Sequence, residues 1–267
     1  MAYYTDFTDE LYGPQQGKPP AGVTVTTGRS GPFRMTQVHI TAEGLARPKG
    51  HYITLELPQG TQPDDRDEPA AQAIAAQLRP LLPDSGLVLV VGVGNRRVTA
   101  DALGPRTAGQ ILVTQELDPR WLHGPLALRP VASIAPGVAG LTGIPLSRLL
   151  AGLVRVIRPA AVLCVDSLCS QEPQRLGRTV QISDAGLCPS QPGSGRHITQ
   201  AQLGVPVVAV GIPTLMDADG FSGCGGLVLT PRELDPLIRR GSTLLALGIN
   251  WALQPELTLP ELRWLAN

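Results

Sequence analysis

The stretch from Leu87 to Pro105 constrains the fold of this 267-residue chain most strongly, because it passes from a buried-strand pattern to a glycine turn and then to a carboxylate. Residues 87–91 form an unbroken run of Leu and Val, which is typical of a strand covered on both faces in a parallel α/β sheet. Gly92 and Gly94 then allow a sharp turn at the C-terminal end of the strand, the edge at which open α/β sheets bind their ligands. The stretch therefore predicts a strand that ends in a site, with Asp101 as the first candidate catalytic residue.

The glycine turn is weak evidence for a nucleotide site. A dinucleotide-binding fingerprint needs a third glycine at the start of the next helix, and Arg97 follows the turn here instead. Asp101 taken alone also suits the N-cap of a helix, since carboxylates favour that position. A catalytic interpretation of Asp101 therefore needs a second acid.

A second strand pattern supplies that acid. Residues 161–165 are another apolar run, and Asp166 follows directly. Parallel strands meet at one edge of the sheet with their C-terminal ends, so we expect Asp101 and Asp166 to lie together there. Such a pair can keep one carboxyl protonated and the other ionised, because two like charges in contact cannot both ionise cheaply.

The order of the remaining patterns predicts the fold class. Apolar residues recur at helical spacing in residues 69–82 and 146–157, and the apolar run at 205–212 predicts a further buried strand. Between Gly22 and Pro58 the apolar residues alternate with period two, which predicts a small N-terminal antiparallel β region. Together these elements predict a three-layer α/β/α sandwich with a mostly parallel sheet.

We expect one folded domain, preceded by an N-terminal segment with little regular structure. Residues 1–20 are polar and contain prolines, which favours a flexible N-terminal segment. The rest of the chain, residues 21–267, is then a single α/β domain whose β-rich appendage spans about residues 22–58.

Composition excludes several classes of function. Lys plus Arg and Asp plus Glu both number 22, so the basic footprint of a nucleic-acid-binding protein is missing. No apolar run approaches the roughly 20 residues of a membrane span, and the N-terminus lacks a signal-peptide pattern, so we expect a cytoplasmic protein. The four cysteines form no C-x-x-C pair and the four histidines fall outside the strand ends, so we expect neither a metal nor a cofactor.

Three further features near the strand ends are candidates to support the two acids. The glycine-rich loop 135–143 contains Gly137 and can present backbone N–H groups to an oxyanion, although the sequence by itself favours an ordinary crossover. Asp184 follows a strand pattern and is either a third carboxylate of the site or a turn residue. Asp217 lies just beyond the strand predicted at 205–212.

Several blocks of the sequence resemble the signature segments of the germination protease family, the spore endopeptidases that degrade small acid-soluble spore proteins. The blocks occur in the family's order and extend over most of the chain, which makes them more specific than any single motif. They are GNRRVTADALGP (94–105), SIAPGVAGLTGI (133–144), CVDSLCS (164–170), TVQISDAGLCP (179–189) and LGVPVVAVGIPTLMDA (203–218).

The resemblance implies a fold shared with hydrogenase maturation endopeptidases and an atypical aspartic mechanism, with Asp101 and Asp166 as the catalytic pair. It also implies that Asn95 supports this pair, and that the family's PGSG segment contacts the substrate. The implied partners are small acid-soluble spore proteins and further copies of the chain in a homotetramer. The implied location is the cytoplasm of the forespore, which becomes the spore core. The PGSG segment includes Gly193, Ser194 and Gly195.

The chain departs from the family pattern in two places. Ser190 and Gln191 are inserted before the PGSG segment, and the sequence after Gly195 diverges. The segment at residues 5–7 resembles the one near the family's zymogen processing site, and only four residues precede it, so we expect a substantial pro-segment to be missing. Two alternatives therefore stay open: a metal-assisted peptidase that would need a third ligand, and a family member that binds spore proteins without cutting them.

Overall fold

A mixed β-sheet forms the centre of the molecule. The computed structural model describes residues 4–57, 67–117, 128–189, 196–218 and 227–265. The strands of the sheet are β1 (Val23–Ser30), β2 (Phe33–Ile40), β3 (Gly50–Glu56), β4 (Val88–Gly92), β5 (Val131–Ile134), β6 (Ala161–Ser170), β7 (Thr179–Ser183), β8 (Val207–Asp217) and β9 (Val228–Leu229).

Helices lie between and beyond these strands. Among the described residues, no helix combines the length and apolarity that crossing a membrane requires. The helices are α1 (Thr8–Tyr12), α2 (Asp67–Leu78), α3 (Leu103–Ala108), α4 (Ala139–Thr142), α5 (Leu146–Ile157), α6 (Gln200–Leu203), α7 (Leu234–Leu253) and α8 (Leu259–Leu265).

The prediction of a mostly parallel sheet is wrong. The strand order is β1-β2-β3-β7-β8-β6-β4-β5, with β9 paired to β8. Only the ladders β5–β4, β4–β6 and β6–β8 are parallel, and the other described ladders are antiparallel. Connection length explains the direction of β7, which lies on the far side of β8 from β6: residues 171–178 are too few for the crossover of a dozen or more residues that a β7 parallel to β6 would need. The sheet is therefore mixed, and its parallel part carries Asp166.

The sheet buries both of its faces. On one face the side chains of Val88 and Val90 pack with α2, α3 and α7, and on the other Leu89 and Val91 pack with α5. Side chains of a strand point alternately to its two faces, so a strand covered on both sides must be apolar at every position. This confirms the interpretation of residues 87–91 as a buried strand.

The N-terminal strands continue the central sheet, because β3 pairs with β7. The start of the chain also differs from the flexible segment predicted for residues 1–20, of which residues 4–20 are described. Phe7 is fully buried, and the Asp6 N–H donates to the Cys169 carbonyl at 2.8 Å. Arg175 pairs with Asp9 at 2.8 Å. The buried acid Asp9 in the first turn of α1 is thus paired with Arg175, which is distant in sequence. The local polarity of residues 1–20 does not indicate such a contact.

Gly104 is expected to tolerate no side chain. A Cβ at this position would overlap the carbonyl oxygens of Val93 and Val165, at the point where α3 lies against β4 and β6. Backbone atoms cannot rotate away, so Gly104→Ala is expected to lower the free energy of unfolding by about 3 kcal/mol. Urea denaturation measures this effect. The matched control is Gly152→Ala in α5, where a Cβ meets open space and a gain of up to about 1 kcal/mol is expected from helix propensity; equal effects of the two substitutions would contradict the packing argument.

Candidate active site

Asp101 and Asp166 lie beyond the last pair of the ladder between the parallel strands β4 and β6, and β6 itself continues past Asp166 to Ser170 along β8. In the β4–β6 ladder Gly92 is opposite Val165, so Asp166 comes one residue beyond the last pair. The chain after β4 runs through a 3₁₀ turn over Thr99–Asp101 before α3 begins. The Asp101 carboxylate makes no capping hydrogen bond to α3, which removes the N-cap interpretation.

The guanidinium of Arg196 holds the two carboxylates together. Its Nη1 and Nη2 donate to Oδ1 and Oδ2 of Asp101, each at 2.8 Å. The same Nη1 also lies 3.4 Å from Oδ1 of Asp166. One nitrogen thus contacts both acids. The distance between the Oδ1 atoms of Asp101 and Asp166 therefore cannot exceed the sum of their two distances from Nη1.

The turn after β4 supplies a further donor to Asp101. The backbone N–H of Asn95 donates to Oδ2 of Asp101 at 2.7 Å, and the Asn95 side chain accepts from the Arg97 N–H at 3.0 Å. Gly94 precedes it with φ of 127°, a conformation that favours glycine, and a Cβ there would overlap the Asp101 carbonyl oxygen. The glycine turn therefore shapes the backbone so that Asn95 can bind the carboxylate.

Asp166 is in an environment that favours its protonated form. The residue is 2% exposed, and burial raises its pKa to about 8, with the Asp101 and Asp6 carboxylates adding to the rise. The Arg196 guanidinium and the Ser167 N–H oppose the rise but do not cancel it. Asp166 therefore keeps its proton at neutral pH. In turn, the two carboxylates raise the pKa of Arg196 although burial acts to lower it.

A small cavity lies beside Asp166. Its volume is about 40 Å³, which leaves room for water, since a water molecule needs roughly 10–15 Å³ on this measure. Asp6, Arg47 and Gln181 also line it among mostly apolar atoms, and Asp101 and Arg196 are not part of its walls. Water and the protonated carboxyl can therefore meet at this point of the sheet edge.

Other candidate residues from the sequence take different positions. Asp184 accepts hydrogen bonds from the backbone N–H and the Nδ1 of His51, at 2.6 and 2.8 Å, and so ties β3 to the end of β7. Asp217 is the last residue of β8 and pairs with Val228 of β9. Gly137 has a φ of 79° in the turn before α4. These placements favour the turn interpretation of Asp184, and Gly193, Ser194 and Gly195 lie outside the described residues.

Arg196 is the functional side chain that the sequence analysis missed. It follows the PGSG segment directly, at the point where the sequence diverges from the family pattern. The signal that could have found it is electrostatic, because two neighbouring acids at a buried sheet edge require a nearby cation. Local sequence alone does not say which of the chain's arginines takes this role.

The sequence matches one protein family over most of its length. A family model described as germination protease matches residues 8–223. The chain is 34% identical over 279 residues to the germination protease of Clostridium perfringens, with 85% of each protein covered. It is 31% identical over 318 residues to that of Clostridium acetobutylicum, with 97% of this chain and 96% of that protein covered.

A solved structure also resembles the fold. The crystal structure of a NiFe hydrogenase maturation protease from Thermococcus kodakarensis aligns with a TM-score of 0.42 and 20% identity, over 66% of this chain and 98% of that one. The family is established by the sequence matches. On that evidence the chain belongs to the germination protease family.

Proposed function

We propose that this endopeptidase hydrolyses peptide bonds with Asp101 and Asp166 as its working pair and a water molecule as the nucleophile. Family membership supplies the reaction class. The observation that carries the residue assignment is the shared contact of both carboxylates with Nη1 of Arg196, just beyond the last pair of the β4–β6 ladder. Two acids held this close, one of them buried, suit the sharing of a single proton.

In the proposed reaction the ionised carboxylate takes a proton from water while the protonated carboxyl donates its proton to the oxygen of the scissile carbonyl. The water oxygen bonds to the carbonyl carbon and forms a tetrahedral intermediate. Collapse of the intermediate breaks the C–N bond, and the proton taken from water passes to the leaving amine. The second carboxyl then recovers its proton from the new acid product, so the pair returns to its starting state.

The proposed substrates are small acid-soluble spore proteins, degraded during spore germination in the cytoplasm of the spore core. The proposal rests on the family and its germination protease members. A homotetramer is proposed on the same ground. A protein substrate also fits the position of the dyad at the sheet edge, where Asp101 keeps a side chain that is 16% exposed.

The chemistry does not require a metal in this proposal. Nη1 and Nη2 of Arg196 occupy both oxygens of Asp101, so the chain supplies its own cation to the dyad. A metal-assisted reaction would need a third ligand. The described histidines of the N-terminal strands, His39 and His51, stack on each other with ring centroids 4.1 Å apart, and His51 binds Asp184.

Digestion of a purified acid-soluble spore protein, with and without exhaustive chelation, tests the proposal. We expect cleavage that chelation leaves unchanged, because both proton-transfer groups are side chains of the protein. Activity that is lost with the chelator and restored by Ni²⁺ or Zn²⁺ would establish the metal-assisted alternative instead. Tight binding of the spore protein without any cleavage would establish the non-catalytic alternative.

A further inference from the structure

We propose that Arg196 is a positioning residue that makes the two acids unequal, so that Asp101 acts as the base and Asp166 as the acid. This inference rests on the proposed function, since it assigns roles within that dyad. Its basis is the asymmetry of the Arg196 contacts: two donors at 2.8 Å to Asp101, but a single contact at 3.4 Å to Asp166. A bidentate guanidinium strongly favours an ionised carboxylate.

Within the described part of the chain, the hydrogen bonds at Asp101 leave one acceptor position for water. A carboxylate offers about four acceptor positions. Arg196 takes one on each oxygen, and the Asn95 N–H takes another on Oδ2. The remaining acceptor position is therefore on Oδ1, the oxygen that shares Nη1 with Asp166. A water molecule bound there lies on the Asp166 side of Asp101, where an ionised base can take its proton.

The hydrogen bonds at Asp166 indicate where its proton sits. Oδ1 of Asp166 accepts from the Ser167 N–H at 2.8 Å and faces Nη1 of Arg196. The Ser167 N–H and Nη1 of Arg196 both favour an unprotonated oxygen at Oδ1, and no described residue donates a hydrogen bond to Oδ2. We therefore assign the proton of the acid to Oδ2.

The charge balance of the site agrees with this assignment. One guanidinium and one ionised carboxylate form a neutral site, whereas ionising Asp166 as well would bury an excess negative charge at a side chain only 3% exposed. Burial raises the pKa of Asp166, and Arg196 limits that rise. The other titratable groups that face Asp166 or line its cavity are Asp6, Arg47, Tyr52, Cys164 and Cys188.

The experiment compares Arg196→Gln and Arg196→Lys with wild type over a range of pH, using a spore-protein digest and NMR titration of Asp166. For Arg196→Gln we expect kcat to fall about 10²-fold with little change in KM, because Asp101 loses its orientation. The pKa of Asp166 and the alkaline limb of the pH profile should both move to higher pH, since Arg196 now lowers that pKa. Arg196→Lys should restore part of the charge effect but not the bidentate geometry.

The matched control is Arg155→Gln, which removes an exposed arginine of α5 and is expected to change neither kcat nor the pH profile. If folded Arg196→Gln keeps the wild-type kcat and the Asp166 pKa does not move, the inference is overturned. A gain in kcat would also overturn it, because Arg196 would then block the site instead of positioning its acids. If Asp101→Asn and Asp166→Asn are inactive in the same assay, such a result overturns the role of Arg196 alone. If those variants stay active, the dyad itself fails.

Discussion

Asp101→Asn and Asp166→Asn are each expected to lower kcat/KM for peptide hydrolysis by about 10³-fold. An amide keeps the shape of the carboxyl group but can neither accept a proton from water nor hold one for the carbonyl oxygen. Both substitutions should leave the protein folded, since the amide oxygen of Asn can still accept a hydrogen bond from Arg196, although Asn at position 101 loses the bidentate pair. Single-turnover digestion of a spore protein, with circular dichroism as the folding check, measures the effect.

Asp184→Asn is the matched control for these two substitutions. It changes an aspartate at the end of another strand, but the Asp184 carboxylate binds His51 instead of the dyad. We expect a loss of less than about 10-fold, caused by a small displacement of the neighbouring chain. Substantial turnover by either dyad variant, or equal losses in all three, would move the chemistry to other residues.

Asp166→Asn is also expected to stabilise the protein at alkaline pH. The pKa of Asp166 is raised from 3.8 to about 8 in the folded protein, so between these values the native state holds a proton that the unfolded chain has released. Wild type therefore loses stability as pH rises from about 4 to 8, by up to about 1.4 kcal/mol per pH unit. Asn does not titrate, so the variant should gain a few kcal/mol over wild type at pH 8 relative to pH 5.

Urea denaturation of wild type and Asp166→Asn at pH 5, 6, 7 and 8 measures this difference. The two stability curves should diverge steadily as pH rises, with the variant above wild type at the alkaline end. Parallel curves would mean that Asp166 is already ionised at pH 5, and the acid of the dyad would then be missing.

Much of the site follows from the sequence because it depends on local patterns. A run such as residues 87–91 has few structural solutions, and the position of a residue after a buried strand determines which edge of the sheet it reaches. Two such strands suffice to place Asp101 and Asp166 at one edge. Their adjacency then needs only that the two strands pair, as β4 and β6 do.

What the sequence did not reveal depends on contacts between distant segments. The antiparallel joining of β3 to β7 and the docking of Phe7 are tertiary pairings without a local signature. The partner of the dyad, Arg196, is 95 residues from Asp101 and 30 from Asp166. Its role follows from charge compensation, which requires a cation at the site but does not identify it.

The pH dependence of kcat/KM for the chelated wild-type enzyme tests the carboxylate pair most directly, because this quantity reports the ionisations of the free enzyme. We expect activity to survive chelation and to follow a bell-shaped profile. Its alkaline limb, near pH 8, should reflect loss of the Asp166 proton and should be shifted by Asp166→Glu. A profile governed by one group near neutrality that Asp166→Glu leaves in place would indicate a histidine base and contradict the dyad.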